Sequence, residues 1–199
     1  MQLQNRKVVI IGAGHVGSHA GFTLIAQGLV DEIVYIDVDE KKAQAQALDL
    51  ADSTAYLPSR AKVRVGTYAD AADAPLMIVA AGPLPDLATG QTRMDTLRQT
   101  IAVMKAVTEN IQSSGFSGII VNISNPADVV THYIQTKLNW PSGRIFSTSA
   151  ATTFRTICLA ACSTSELIRC LVCRIACSSV SEGSTRSRSS LSVTNSTMP

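Results

Sequence analysis

Residues 7–17 read KVVIIGAGHVG, an apolar, β-branched run that ends directly on a glycine-rich turn. A run without polar alternation suits a strand buried on both faces of a parallel sheet. Past the turn, Val16, Ala20, Leu24 and Ile25 recur at helical spacing as far as Gly28, a residue type that commonly stops a helix. Gly12, Gly14 and Gly17 therefore stand between a strand and a helix, the context that separates a G-x-G-x-x-G fingerprint from an ordinary glycine turn. In that context Gly12 permits the tight turn and Gly14 lets the backbone approach a pyrophosphate. Gly17 lets the helix pack close to the sheet while its N-terminus faces the anion. EIVYID at 32–37 reads as the next strand and closes on Asp37, 20 residues beyond Gly17. A carboxylate there can accept both ribose hydroxyls of an adenosine. Val38 and Asp39 follow with no Arg at the turn, so a 2′-phosphate is repelled and NAD is expected rather than NADP. A glycine turn without a ligand is the bland alternative; the conjunction of loop, flanking elements and Asp37 weighs against it.

Working outward, KKAQAQALDLADS reads as a helix, KVRVGTY and LMIVAAG as strands, and the stretch from about Thr92 to Ser114 as a long helix. GIIVNISNP follows as another buried strand ending in a turn. Strands alternating with helices, each connection long enough for a crossover, predict an α/β fold with a doubly wound parallel sheet of Rossmann type. His15 and His19 lie four residues apart on the first helix, but no third ligand has suitable spacing, and no metal site is expected.

The bulk properties exclude more than they identify. A 46% hydrophobic content is enough for a real core, and a formal charge of +2 is too small to argue for a nucleic-acid surface. No apolar run approaches the roughly 18 residues of a membrane span, and the chain does not open on a charged and then apolar leader, so a soluble cytoplasmic protein is expected.

Composition changes near residue 147. From there on, 21 of 53 residues are Ser or Thr, all five cysteines occur and Asp and Lys are absent, so the two parts are not built alike. The expected division is a dinucleotide-binding domain over 1–147 and a degenerate segment over 148–199. Cys170 and Cys173 form a lone C-x-x-C, a weak zinc signal without a second pair or histidines. Five thiols in a cytoplasmic setting do not make a disulfide framework either. The cysteines at 158, 162, 170, 173 and 177 also fit one apolar helix face. RSRS near the end is too sparse in arginine for a nucleic-acid segment, and a disordered tail is the expectation.

Between LMIVAAG and the next helix lies PLPDLATGQTR, a loop of a length that could close over a ligand, with Arg93 at its far end. A fixed cation there could polarise a substrate oxygen once the loop shuts; alone, Arg93 would read as a surface arginine.

Residues 6–147 resemble the L-lactate and malate dehydrogenase family in an ordered set of motifs: VIIGAGHVGS, EIVYIDVDEKKA, ALDLADS, GTYAD, VAAG, TRMDTLRQT and VNISNPADVVTHY. The resemblance implies an NAD-dependent L-2-hydroxy acid dehydrogenase acting on a small 2-oxo or 2-hydroxy acid. It makes Arg93 the loop arginine that polarises the substrate carbonyl and Asn125 the asparagine that hydrogen-bonds the substrate beside the nicotinamide. It places Val16, Asp37, Lys42, Tyr68, Gly82 and Ser124 around NAD, together with Gly12, Gly14 and Gly17. It also implies a homo-oligomer pairing through the ALDLADS helix, which a truncated chain puts in doubt.

The malate members of the family carry an early loop arginine for the second carboxylate. PLPDLATG has no basic residue, and Asp86 would repel that carboxylate, so a monocarboxylic substrate is expected. The loop is also longer than the usual lactate form, resembling that of L-2-hydroxyisocaproate dehydrogenases. Malate dehydrogenase stands as the alternative.

The family's acid/base histidine and its aspartate are expected within patterns resembling GTxLDxxRFR and GEHGxSE. Here only Thr152, Thr153, Phe154 and Arg155 keep the flavour of the first, and ACSTSEL would put Cys162 where the histidine belongs. No Asp occurs after Asp128 and no His after His132. The chain is also shorter than the family's usual length. An incomplete substrate domain, arising by frameshift or deletion near residue 148, and impaired catalysis are therefore expected. A non-catalytic NAD-binding module and a non-functional product are the competing readings.

Overall fold

The computed structural model describes residues 6–57, 60–92 and 94–147. Arg93, all five cysteines and Thr152 to Arg155 lie outside the described residues, so the expectations placed on them are not met or refuted by the fold.

Six strands form one sheet: β1 (Lys7–Ile11), β2 (Glu32–Ile36), β3 (Lys62–Val65), β4 (Leu76–Val79), β5 (Ile119–Asn122) and β6 (Ile145–Ser147). Their order is β3-β2-β1-β4-β5-β6 and every pairing is parallel. The connections carry α1 (His15–Ala26), α2 (Glu40–Ser53), α3 (Leu97–Ser113) and α4 (Ala127–Leu138). The doubly wound character follows from side-chain alternation along β1. Val8 and Ile10 join Leu24 and Ile25 of α1 and Ala43, Ala47 and Leu50 of α2 in one core. Val9 and Ile11 join Met104, Val107 and Ile111 of α3 and Val130 and Ile134 of α4 in the other. A strand buried on both faces has no polar side to alternate, which is why KVVII is uniformly apolar.

Two expectations differ from the fold. The long helix begins at Leu97 rather than near Thr92. Asp95 Oδ2 accepts from both the Thr92 backbone N–H and its hydroxyl at 2.7 Å, so a side-chain-closed turn takes the place of a first helical turn. The strand expected over KVRVGTY stops at Val65, and Tyr68 falls in a 3-10 turn, Tyr68–Ala71. That turn is held by a capping box in which Thr67 and Asp70 exchange hydrogen bonds. Finally, α4 and β6 are elements the spacing did not single out. α4 opens on Pro126, which caps without needing a backbone donor, and ends at Asn139 in the left-handed region.

Asp70 ties the Tyr68 turn to the sheet. Its Oδ1 accepts from Arg64 at 2.8 Å, while Arg64 Nε also donates to Glu32 Oε1 at 2.8 Å on the neighbouring strand. The Arg64 hydrogen bond, followed by the Thr67 backbone N–H, holds the Asp70 carboxyl at about 2 against an ordinary 3.8. The folded carboxyl thus binds its proton more weakly than the unfolded one. Its stabilising contribution is present above about pH 4 and is lost as pH falls from there toward 2. Asp70→Asn should lower the melting temperature near neutral pH and flatten its fall over that acid window. Melting curves of both proteins across the window, parallel in slope, would refute this.

Candidate NAD site at the switch point of the sheet

The chain runs from β1 outward to β2 and β3, then returns to β4 on the other side of β1. The loops leaving β1 and β4 therefore diverge to opposite faces, opening a crevice at the carboxyl ends of these two strands.

Gly12 stands at the edge of this crevice with φ +101°, and its N–H donates to Ile36 O at 2.8 Å. A Cβ here would lie 2.6 Å from Ala80 O and 2.9 Å from Ala81 N. The turn after β1 passes against the backbone leaving β4, leaving no volume for a side chain. Gly17, in the first turn of α1, has even less room: its Cβ would lie 1.9 Å from Gly12 O. Both glycines are steric requirements of the fold. Gly14 is different. It is the N-cap of α1 without a side-chain cap, and its Cβ would meet only Lys42 Nζ, at 3.7 Å. The space a side chain would fill is a cradle at a helix N-terminus with an ammonium on its rim, and no acidic residue stands in the first turn of α1. That combination suits a phosphate.

Asp37 follows the last residue of β2. Its Oδ2 accepts from Ala13 N at 2.6 Å and its Oδ1 from Asp39 N at 3.0 Å. Each oxygen keeps a lone pair for a further donor, so a diol fits this carboxylate. Asp39 caps α2 by accepting from Lys42 N at 3.1 Å, which sets the start of the helix carrying Lys42. Tyr68 lies close enough to Asp37 to feel its charge. Burial, and then the Asp37 charge, push its hydroxyl up to about 12, so it remains a protonated donor at neutral pH. Val16, in the first turn of α1, is 44% exposed, an apolar surface at the mouth of the crevice.

On the β4 side, Gly82 has φ +142°, a conformation that favours glycine. Ser124 is buried after β5 and its hydroxyl donates to Ala81 O at 2.6 Å, joining the β5–α4 connection to the loop after β4. Asn125 is exposed beside it, ahead of a cis bond to Pro126. In the loop that follows Gly82, Asp86 Oδ1 accepts from Ala88 N at 3.0 Å and organises its own 3-10 turn, Leu87–Thr89.

The crevice thus gathers Gly12, Gly14, Val16, Gly17, Asp37, Lys42 and Tyr68 on the β1–β2 side and Gly82, Ser124 and Asn125 on the β4–β5 side. Two contributors escaped the sequence reading. Gly21 leaves room for the buried Tyr35, whose hydroxyl donates to Gly17 O at 3.3 Å; a Cβ at Gly21 would lie 2.0 Å from that hydroxyl. Asn122 is a fully buried amide at the end of β5. A lone polar residue inside GIIVNIS was its available signal, because buried amides must find partners. Among the described residues no group of three or more His, Cys, Asp or Glu is placed to hold a metal ion.

Residues 6–147 match the family model for the lactate/malate dehydrogenase NAD binding domain. L-lactate dehydrogenase 3 of Bacillus cereus is 34% identical over 151 residues, a span covering 76% of this chain and 47% of that protein. An L-lactate dehydrogenase of Lactococcus lactis subsp. cremoris is 39% identical over 132 residues, 66% of this chain and 41% of that one. Among solved structures, the ligand-bound minor L-lactate dehydrogenase of Enterococcus mundtii superposes with a TM-score of 0.70 at 37% identity, covering 79% of this chain and 51% of that one. The chain spans less than half the length of these two curated relatives.

Proposed function

The chain belongs to the lactate/malate dehydrogenase family through its NAD binding domain, and from that premise we propose that it carries the cofactor half of an NAD-dependent L-2-hydroxy acid dehydrogenase of the L-lactate type. The observation that carries this reading is the pairing of an open cradle at Gly14 with a carboxylate at Asp37 that keeps free lone pairs. When bound, NAD supplies or takes the hydride exchanged with C2 of the acid.

The residues divide the work. Gly14, the N-terminus of α1 and Lys42 bind the pyrophosphate end, where fixed N–H groups and an ammonium meet negative charge. Asp37 accepts the ribose hydroxyls and disfavours a 2′-phosphate. Tyr68, kept protonated, donates from the adenosine side. Gly12 and Gly17 keep the turn and helix close enough for this contact. Val16, Gly82 and Ser124 border the cofactor toward the nicotinamide. Asn125 donates to the substrate oxygen, and Arg93 polarises the substrate carbonyl, stabilising the charge that develops there. Residues 1–147 form the NAD-binding unit in this reading, and 148–199 are a remnant of the substrate lobe.

Asp86 and the absence of a basic residue from PLPDLATG favour a monocarboxylate over a dicarboxylate. The proton that accompanies the hydride needs an acid/base group. The last histidine of this sequence, His132, sits on α4, and the lack of an acid/base histidine is expected by itself to lower turnover roughly 10²- to 10⁴-fold.

Fluorescence titration of the full chain with NADH and NADPH tests the binding claim: saturable binding of NADH, tighter than NADPH, is expected. No NADH binding at millimolar concentration would sink it. Oxidation of NADH with pyruvate or 2-oxoisocaproate, compared with oxaloacetate, tests the substrate class; faster turnover of oxaloacetate would overturn it.

A further inference from the structure

We propose that Asn122 is a positioning residue that fixes the nicotinamide end of the site, an inference resting on the NAD reading above. Asn122 is the last residue of β5, follows three buried aliphatic residues and is itself fully buried. Its register partners on the two flanking strands are Val79 and Ser147. An aliphatic side chain would continue the core there. The amide instead turns all its hydrogen-bonding capacity onto the connection to α4. Its Oδ1 accepts from Ser124 N at 3.1 Å. Its Nδ2 donates to Ala127 O and to Thr131 Oγ1, each at 3.0 Å, with Ser124 O at 3.3 Å.

These bonds grip both ends of the four-residue connection 123–126, one at Ser124 and the other in the first turns of α4. Thr131 Oγ1 in turn donates to Ala127 O at 2.7 Å, closing the network on the helix. From the gripped connection, Ser124 Oγ reaches the β4 loop at Ala81 O, one residue before Gly82. The amide thereby sets where Ser124 and Asn125 stand relative to Gly82, across the crevice. It touches none of the groups that hold the adenosine: Gly14, Asp37 and Lys42 belong to the β1–β2 side. Losing Asn122 strands the Ser124 N–H, leaves the Ala127 carbonyl without its amide donor and lets the connection shift, so the effect falls on one end of the cofactor only.

The asymmetry gives the test. ADP-ribose occupies the adenosine and pyrophosphate end; NADH occupies both ends. In the full 199-residue chain, Asn122→Val should weaken NADH about tenfold, as the connection loses the amide that holds it, while ADP-ribose affinity stays within about twofold. The fluorescence change of bound NADH, which reports the nicotinamide surroundings, should fall with it. Equal losses for the two ligands, or none for NADH, overturn the proposal and mark Asn122 as a core amide. If Asn122→Val does not fold, Thr131→Val removes one partner of the amide at constant shape. It should weaken NADH about threefold relative to ADP-ribose, and an unchanged ratio in the folded variant overturns the proposal as well. Failure of the unmodified chain to bind either ligand overturns the NAD reading instead, which separates the two failures.

Discussion

Gly17→Ala is expected to lower the melting temperature by roughly 6–12 °C, and to do so without any ligand present. The added Cβ would lie 1.9 Å from Gly12 O and 3.3 Å from Ile10 Cγ2. The first obstacle is backbone in a turn that is itself pressed against Ala80, so it has nowhere to retreat. Helix α1 must lift from the sheet, breaking the contact of Leu24 and Ile25 with the core they share with Val8 and Ile10. Overpacking against an immobile backbone costs roughly 3 kcal/mol or more. At a few degrees per kcal/mol for a chain of this size, the stated range follows. Gly28→Asn is the control. Gly28 also has positive φ, +65°, but nothing lies within 4 Å of its Cβ position, and Asn tolerates that region. Thermal unfolding followed by circular dichroism should separate the two; similar melting temperatures would show that α1 adapts more freely than the contacts allow.

The second large effect is on binding. Asp37→Ala should weaken NADH by about 10²-fold and shrink or abolish its advantage over NADPH. Hydrogen bonds to a charged acceptor contribute roughly 1.5–3 kcal/mol each, and every 1.4 kcal/mol is tenfold in affinity. Two ribose hydroxyls on one carboxylate reach that figure even after a discount for solvent. Removing the charge also removes the repulsion of a 2′-phosphate, so NADPH should lose little. Asp37 has a structural duty too, because Oδ2 takes the Ala13 N–H at 2.6 Å in the glycine turn. Asp37→Asn can keep one acceptor for that N–H while losing the charge. It should retain most of the melting temperature and still weaken NADH. An Asp37→Ala variant that binds NADH as tightly as the parent would remove Asp37 from the site.

Much of this was legible residue by residue. KVVIIGAGHVG and EIVYID announce strand, turn, helix and strand because burial on two faces demands unbroken apolar runs and tight turns demand glycine. Gly28 as a helix stop is likewise local: the α1 cap ends there with its N–H on Ile25 O at 2.9 Å. Other features were hidden for physical reasons. α4 begins immediately after the turn at SNP, and its buried positions, Ala127, Val130 and Ile134, are interleaved with the exposed Val129, which blurs the helical stripe. β6 is three residues long, too short to show a period. The start of α3 was misplaced because Thr92 and Asp95 close a turn with their own side chains. Tyr68 reads as strand from KVRVGTY, but Asp70 and Arg64 draw it into a turn beside Asp37.

By itself the sequence determined the strand–turn–helix around Gly12, Gly14 and Gly17, the acidic end of the second strand at Asp37 and the family motifs as far as Asn125, since each rests on local sterics or on spacing along a single element. Only the tertiary structure decided that β4 lies against β1 and not beyond β3. That placement depends on two cores packing on opposite faces of one sheet. It is what brings Ala80, Gly82 and Ser124, far along the chain, to the glycine turn, and it gives the buried amide of Asn122 a connection to hold.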